Sequence, residues 1–166
     1  MVVSDREARV STVAEHSTDS GTRGDLTSVS LQLRYGDMDI NQHINNVQIA
    51  RLFEESRVRS FGQWFGDGGR PADYAMVVGR QDIVFRAVLH YSLDPVTART
   101  CINRIGTSSF RMLLTLVDAT GTTCAVAETT MVSVDNESGR ATPLPDEVRA
   151  VLEAQLVEGA ELPLRA

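Results

Sequence analysis

The segment 36–46 reads GDMDINQHINN and concentrates the side chains of this sequence that are best suited to chemistry. Two carboxylates, two amides and one imidazole occupy alternate positions: Asp37, Asp39, Asn41, His43 and Asn45. In an extended chain they project on one side, while the positions between them hold Met38, Ile40, Gln42 and Ile44. The alternation therefore predicts one polar edge, with apolar neighbours that anchor the segment in the core.

A helix is predicted to begin directly after this segment, and its N terminus decides what chemistry the polar edge can perform. The first N–H groups of a helix have no partner inside the helix and carry a partial positive charge, so they can hold a developing oxyanion. A carboxylate beside them can attack a carbonyl carbon or remove a proton from water. An amide and an imidazole can orient that water or the acyl group. Together these groups are suited to hydrolysing an activated acyl compound.

The same residue types also have plain structural interpretations. Asn and Asp before a helix commonly act as caps and turn formers, and a single histidine in such a loop commonly serves as a hydrogen-bonding tether. A metal site built from Asp37, Asp39 and His43 is the weaker functional interpretation. Only His16 and His90 remain as further histidine ligands for such a site.

The composition excludes several classes of function. The 166 residues, about one domain, contain 22 acids and 16 bases, which gives a net charge of −6. Every base is arginine, so the chain lacks the lysine that a phosphate-binding loop or a Schiff base requires. The acidic balance argues against a nucleic-acid partner, because the phosphate backbone attracts a basic face.

Cysteine usage and hydrophobicity indicate the compartment. Cys101 and Cys124 form neither a paired-cysteine metal motif nor a disulfide framework, so free thiols in a reducing cytosol are expected. No apolar run approaches the ~20 residues that span a bilayer, and the charged N-terminal start does not resemble a signal peptide. We therefore expect a cytoplasmic protein with no membrane partner.

Composition and periodicity divide the chain into one domain and two tails. Residues 1–28 are rich in Ser, Thr and charged side chains, without helical or strand periodicity, and are predicted to form a flexible N-terminal tail. Residues 29–157 are predicted to form a single domain, and residues 158–166 a C-terminal tail.

The first half of the domain shows a strand pattern followed by a helix pattern. Alternation from Val29 to Tyr35 predicts a half-buried strand. Apolar spacings of three and four predict a helix at about 46–65, capped by Asn45 or Asn46. The apolar positions of this helix are Val47, Ala50, Phe53, Val58, Phe61, Trp64 and Phe65.

The second half of the domain is rich in strands. One bent strand or two are predicted between Tyr74 and Leu89, followed by three alternating segments separated by short turns, and a short helix begins near Asp146. Short turns between consecutive strands favour antiparallel pairing. The long helix would cover one face of that sheet, which gives an α+β fold.

The stretches 34–39 (RYGDMD) and 41–46 (NQHINN) resemble the acyl-CoA and acyl-carrier-protein thioesterases of the hot-dog fold. They are most similar to the 4-hydroxybenzoyl-CoA thioesterase-like group and to the plant-type acyl-carrier-protein thioesterases. The resemblance covers about residues 29–153. It implies an antiparallel sheet wrapped around one long central helix, and a homodimer or dimer of dimers with the acyl site between subunits.

The resemblance also implies roles for single residues. Asp39 matches the family's catalytic carboxylate, acting as nucleophile or general base, and Asn41 and His43 match residues that position substrate and water. The first turn of the helix, at Asn45 and Asn46, would bind substrate, with the backbone N–H near Asn46 directed to the thioester oxygen.

Two departures from the family pattern concern the site. Many bacterial relatives carry glycine before the histidine, where this chain has Gln42, as in the plant-type pattern. The plant-type enzymes also carry a downstream Glu-Cys pair, and the matching stretch here is Val88-Leu89. The full plant-type mechanism is therefore not expected, and Asp39 is the main catalytic candidate.

These observations lead to one expected function and two alternatives. We expect a thioesterase that hydrolyses a small-molecule acyl thioester, with coenzyme A favoured as the thiol carrier and an acyl carrier protein as the alternative carrier. No metal or redox cofactor is implied, and coenzyme A enters as part of the substrate. The alternatives are a hot-dog dehydratase or hydratase, with His43 and Asp39 as acid and base, and a non-catalytic module that binds acyl-CoA.

Overall fold

The protein's computed structural model describes residues 26–66 and 74–162. In chain order the elements are β1 (Thr27–Leu31), α1 (Asn46–Phe65), β2 (Tyr74–Phe85), β3 (Val96–Ile105), β4 (Ser109–Val117), β5 (Thr123–Asp135) and α2 (Asp146–Ala154). A 3-10 turn, Tyr35–Asp37, lies between β1 and α1. Residues 1–25 and 163–166, which hold most of the predicted N-terminal tail and the end of the C-terminal one, lie outside the described residues.

The strands form one antiparallel sheet in the order β1-β3-β4-β5-β2. The consecutive strands β3, β4 and β5 are neighbours because short turns join them. The stretch from Tyr74 is one strand that ends at Phe85, with a register shift between Val78 and Arg80. The predicted α+β architecture, with a meander after one long helix, is therefore confirmed.

The core lies between α1 and the inner face of the sheet. Alternate residues of β4 point into it and are buried: Phe110, Met112, Leu114 and Leu116. Phe53 of α1 is completely buried, and Phe61 contacts Phe110 with ring centroids 6.2 Å apart. No helix in the described part of the chain is long and apolar enough to cross a membrane.

The apolar positions of α1 do not all face the core. Val47 and Val58 are 70% and 61% exposed, whereas Ser56 and Ser60 are completely buried. The Ser56 hydroxyl lies 3.2 Å from the Thr100 hydroxyl on β3, so a small polar side chain takes a core position by sharing a hydrogen bond across the helix–sheet contact. Hydrophobicity alone does not identify such a position.

The first predicted strand is shorter than its pattern. Val29, Leu31 and Leu33 are buried, as the alternating pattern predicts. Pairing with β3 stops at Leu31, however, and Tyr35 is 74% exposed. The chain turns at Tyr35 into the 3-10 turn that starts the candidate site. The predicted helix 46–65 is confirmed, as is a cap at Asn45, whose side-chain oxygen accepts the Val47 N–H at 2.9 Å.

The orientation of α1 is open to a direct stability test. Leu52→Ala removes a side chain that is 1% exposed, and we expect it to lower the free energy of unfolding by about 2–5 kcal/mol. The matched control Val58→Ala, on the outer face of the same helix, should change it by less than about 0.5 kcal/mol. Urea unfolding followed by circular dichroism measures both, and equal losses would contradict the orientation.

Candidate functional site

The segment before α1 folds into a tight hairpin. The Asn45 N–H donates to the Asp37 carbonyl at 2.9 Å, and the Asp39 N–H donates to the His43 carbonyl at 2.8 Å. At the tip, the Gln42 N–H donates to the Asp39 carbonyl at 3.0 Å. The extended conformation assumed for this segment is therefore wrong from Asp39 to His43. The hairpin itself brings those two residues face to face.

Asp39 holds the tip of this hairpin closed with its own side chain. Its Oδ1 accepts the backbone N–H of Asn41 at 2.8 Å and of His43 at 3.2 Å, and the Asn41 side-chain amide lies 3.5 Å from Oδ2. Desolvation alone would raise the pKa of Asp39, but these hydrogen bonds and the nearby His43 together lower it below its usual 3.8. Asp39 is therefore a carboxylate at neutral pH and a poor proton donor.

A second turn of the chain has the same hydrogen bonds as the Asp39 hairpin. Between β4 and β5, the Asp118 N–H donates to the Thr122 carbonyl at 2.9 Å, and Asp118 Oδ1 accepts the N–H groups of Thr120 and Thr122 at 2.9 Å each. An aspartate that caps its own turn is thus a structural device used twice in this fold. Capping alone therefore does not identify Asp39 as a catalytic residue, and a catalytic role has to be argued from its surroundings.

The two turns differ at the residue that adopts a left-handed backbone conformation. Gly121 fills this position in the β4–β5 turn with φ 90°, whereas Gln42 fills it in the Asp39 hairpin with φ 62°. Gln42 is the one residue other than glycine with positive φ in the described chain. A side chain there costs energy that glycine avoids, so the hairpin beside Asp39 is strained.

Asp37, the other carboxylate of the segment, anchors the hairpin to the helix. It is 5% exposed, and its Oδ2 accepts the Arg34 backbone N–H at 2.8 Å and the Arg51 guanidinium at 3.1 Å. Arg51 also donates to the side chain of Gln48 at 2.8 Å. These contacts tie the start of the hairpin to the first turns of α1, which gives Asp37 a structural role.

His43 lies against a segment that follows β2. The Ile44 N–H donates to the Leu89 carbonyl at 2.8 Å, and His43 and His90 are bridge partners with imidazole centroids 5.2 Å apart. The stretch Val88-Leu89, matched to the plant-type Glu-Cys pair, thus does lie beside the hairpin. Sequence reasoning missed His90 as a site residue; its rarity, as one of three histidines, was the available signal.

The start of α1 uses one of its two asparagines as a cap. The Asn45 side chain accepts the Val47 N–H, and its carbonyl accepts the Gln48 N–H at 2.8 Å. Asn46 is exposed, and its backbone N–H has no hydrogen-bond partner in the described residues. The open donor at the helix start is therefore the N–H of Asn46, the first residue of α1, directly after the hairpin arm that pairs with the arm of Asp39.

Large exposed apolar side chains are frequent in the hairpin segment and in the segment that pairs with its return arm. Of the large hydrophobic residues exposed in the described chain, most fall in the paired segments 35–47 and 85–93: Tyr35, Ile40, Val47, Phe85, Val88 and Leu93. Ile40, at the hairpin tip, is 98% exposed. We call this set the apolar rim. Large exposed apolar side chains in a folded domain are candidates for contact with a ligand or a protein.

The side chains of the site are not arranged as metal ligands. Across residues 26–66 and 74–162, no group of three or more His, Cys, Asp or Glu side chains is placed to hold a metal ion. The site consists instead of a carboxylate, two imidazoles, amides and an open backbone N–H, a set suited to acyl transfer to water.

Comparison with known proteins connects this geometry to a family. The family model described as "Thioesterase-like superfamily" matches residues 33–152, which include the whole hairpin and the segment of His90. No curated protein matches the sequence significantly.

Solved structures give similar results. A predicted thioesterase from Bacillus stearothermophilus is 25% identical, with a TM-score of 0.73 over 82% of this chain and 100% of that one. A thioesterase from Thermus thermophilus, complexed with coenzyme A and Zn, is 27% identical, with a TM-score of 0.65 over 77% of this chain and 92% of that one. Slr0204 from Synechocystis, a 1,4-dihydroxy-2-naphthoyl-CoA thioesterase, is 17% identical, with a TM-score of 0.66 over 77% of this chain and 96% of that one. At this identity the match shows similarity of fold alone. Together with the strand order, these neighbours confirm the hot-dog fold.

The backbone strain at Gln42 predicts an increase in stability on substitution by glycine. Gln42→Gly should raise the free energy of unfolding by about 0.5–1 kcal/mol, because the relief of roughly 1–2 kcal/mol of left-handed strain exceeds the entropy that glycine adds to the unfolded chain. Gly121→Ala, the reverse change in the matching turn, has open space around the new methyl group and should lower stability. Thermal unfolding measures both, and a less stable Gln42→Gly variant would contradict the strain.

Proposed function

The chain belongs to the thioesterase-like superfamily, and on that basis we propose that it hydrolyses acyl thioesters of coenzyme A to a free acid and a free thiol. The observation that carries the proposal is the ionised Asp39 carboxylate on a hairpin that leads directly into the helix start with the open Asn46 N–H. This combination supplies a nucleophile or base together with an oxyanion donor.

The reaction follows from the charges of these groups. The thioester carbonyl oxygen accepts the N–H of Asn46, which stabilises the negative charge that develops on it. Asp39 then attacks the carbonyl carbon or removes a proton from the attacking water. Asn41 and His43 border the carboxylate and orient water and the acyl group. The side chain of Asn45 serves the cap, so in this proposal substrate binding at the helix start uses backbone groups.

Coenzyme A is the proposed thiol carrier, with an acyl carrier protein as the other candidate. The Thermus thermophilus thioesterase, 27% identical to this chain, is complexed with coenzyme A, and that supports a small-molecule thioester. The apolar rim supports an acyl group bound beside Asp39.

We propose that the protein acts as a homodimer or a dimer of dimers in the cytoplasm. β2 is an edge strand of the sheet, and an edge of this length is an open template for another strand. The apolar rim would be covered by a second copy together with the acyl chain. The two buried cysteines are free thiols, in keeping with a reducing compartment.

The hydratase alternative is distinguished from hydrolysis by its product. A hydratase or dehydratase needs a proton donor and a proton acceptor at the acyl chain, and an ionised Asp39 with His43 as the donor would also meet that need. A hydratase also leaves the thioester bond intact. Product analysis therefore separates the two enzymes, and binding without turnover identifies a non-catalytic module.

Asp39→Asn tests the proposal with little disturbance of the hairpin. An asparagine oxygen still accepts the N–H groups of Asn41 and His43, but the carboxylate charge is lost. We expect kcat for release of free thiol from acyl-CoA to fall by about 10²–10⁴-fold, measured with a thiol reagent across chain lengths and one aryl-CoA.

Asp118→Asn is the matched control, because Asp118 caps its turn through the same backbone contacts. Both variants should show similar small changes in unfolding midpoint, while Asp118→Asn keeps full activity. Undiminished turnover in folded Asp39→Asn protein would refute the role of Asp39, and a wild-type protein that binds acyl-CoA without releasing thiol would refute hydrolysis.

A further inference from the structure

The candidate site contains a pair of histidines from different parts of the chain. The His43 and His90 rings meet edge to face, with centroids 5.2 Å apart and planes at 82°. Backbone pairing fixes this contact, since the two residues are bridge partners and the Ile44 N–H donates to the Leu89 carbonyl. The rings are therefore held together by the main chain.

Both imidazoles keep their nitrogen atoms available. In the described chain no hydrogen bond or ion pair reaches the side chain of His43 or His90, and neither ring nitrogen of the partly buried His43 is a buried atom without a partner. His43 is partly buried and His90 is exposed. A histidine that serves only as a tether would have a fixed hydrogen-bond partner, whereas these two rings contact each other.

Thioester hydrolysis requires a proton at a second place besides the attacking water. The carbon–sulfur bond breaks with its electron pair on sulfur, and the thiolate has to take up a proton. The attacking oxygen and the sulfur are bonded to the same carbon, so the acceptor and the donor must lie within a few ångströms of each other. Asp39, ionised at neutral pH, holds no proton for the sulfur before water attacks.

We propose that His90 is a second catalytic histidine, which as an imidazolium protonates the sulfur of the departing thiol. The inference rests on the proposed hydrolase function. Whether Asp39 acts as base or nucleophile, water supplies both the new carboxyl oxygen and the proton that ends on sulfur. The proton released by the attacking water passes to Asp39, or to solvent when Asp39 acts as nucleophile, and His90, which is exposed, regains from solvent the proton that it gave to sulfur. The sum is one thioester and one water giving one acid and one thiol.

The choice of leaving group tests this role. Two esters of the same acyl group are compared, the N-acetylcysteamine thioester, which releases a basic alkyl thiolate, and the thiophenyl ester, which releases a stable aryl thiolate that leaves without protonation. We expect His90→Gln to lower kcat by about 10²-fold on the alkyl thioester and by less than about threefold on the thiophenyl ester. Asp39→Asn should lower both.

Two further variants complete the test. Tyr91→Phe keeps the ring contact with Tyr35 next to His90 and should leave both rates unchanged, and His90→Ala should repeat the pattern of His90→Gln. An equal loss of kcat on the two esters would show that His90 has only a structural role. Unchanged kcat on both esters would show that His90 takes no part in catalysis. A wild-type protein that releases no thiol from acyl-CoA or from either ester would overturn the proposed function and this inference with it.

Discussion

Two backbone N–H groups converging on one carboxylate oxygen, those of Asn41 and His43 on Asp39, determine the shape of the candidate site. They close the hairpin and keep Asp39 ionised. Asp37 and Arg51 fasten the start of the hairpin to the helix, and Ile44 and Leu89 fasten its return arm to the segment after β2. The carboxylate, the imidazole pair and the helix start thus share one rigid support.

The Asp118 turn shows which features of the Asp39 hairpin belong to the turn itself and which are specific to the candidate site. Asp118 makes equivalent contacts on a hairpin without a neighbouring histidine contact or a helix start, and its pKa is also lowered, mainly by the Thr120 hydroxyl. A depressed carboxylate pKa is therefore a consequence of the turn and not a sign of function in itself. What distinguishes Asp39 is its setting: a strained backbone at Gln42, an open N–H at Asn46 and a surrounding apolar rim. Strain of this kind persists where the surrounding structure enforces it, which is common at functional sites.

Much of the fold could be predicted from local patterns, and the failures have physical causes. The helix 46–65 follows from apolar spacing and the Asn45 cap, and the meander follows from alternation between turn residues. The exposure of Val47 and Val58 could not be predicted, because the helix packs through Ser56 and Ser60, and at Ser56 the buried hydroxyl is made favourable by the opposing Thr100. His90 was missed for a similar reason: it reaches His43 through the course of the chain after β2, which periodicity does not encode. The hairpin was assumed to be extended because a side-chain-capped turn gives the same alternation of polar residues.

The central claim is that Asp39 and the N–H of Asn46 meet at the carbonyl of a bound thioester. The most direct measurement is NMR of the protein titrated with a non-hydrolysable thioether analogue of acyl-CoA that carries a ketone at the carbonyl position. The account predicts that the Asn46 amide and the Asp39 carboxyl carbon shift together and saturate at one ligand concentration, while the Asp118 carboxyl carbon stays in place. Saturable binding that leaves both Asn46 and Asp39 unshifted would contradict it.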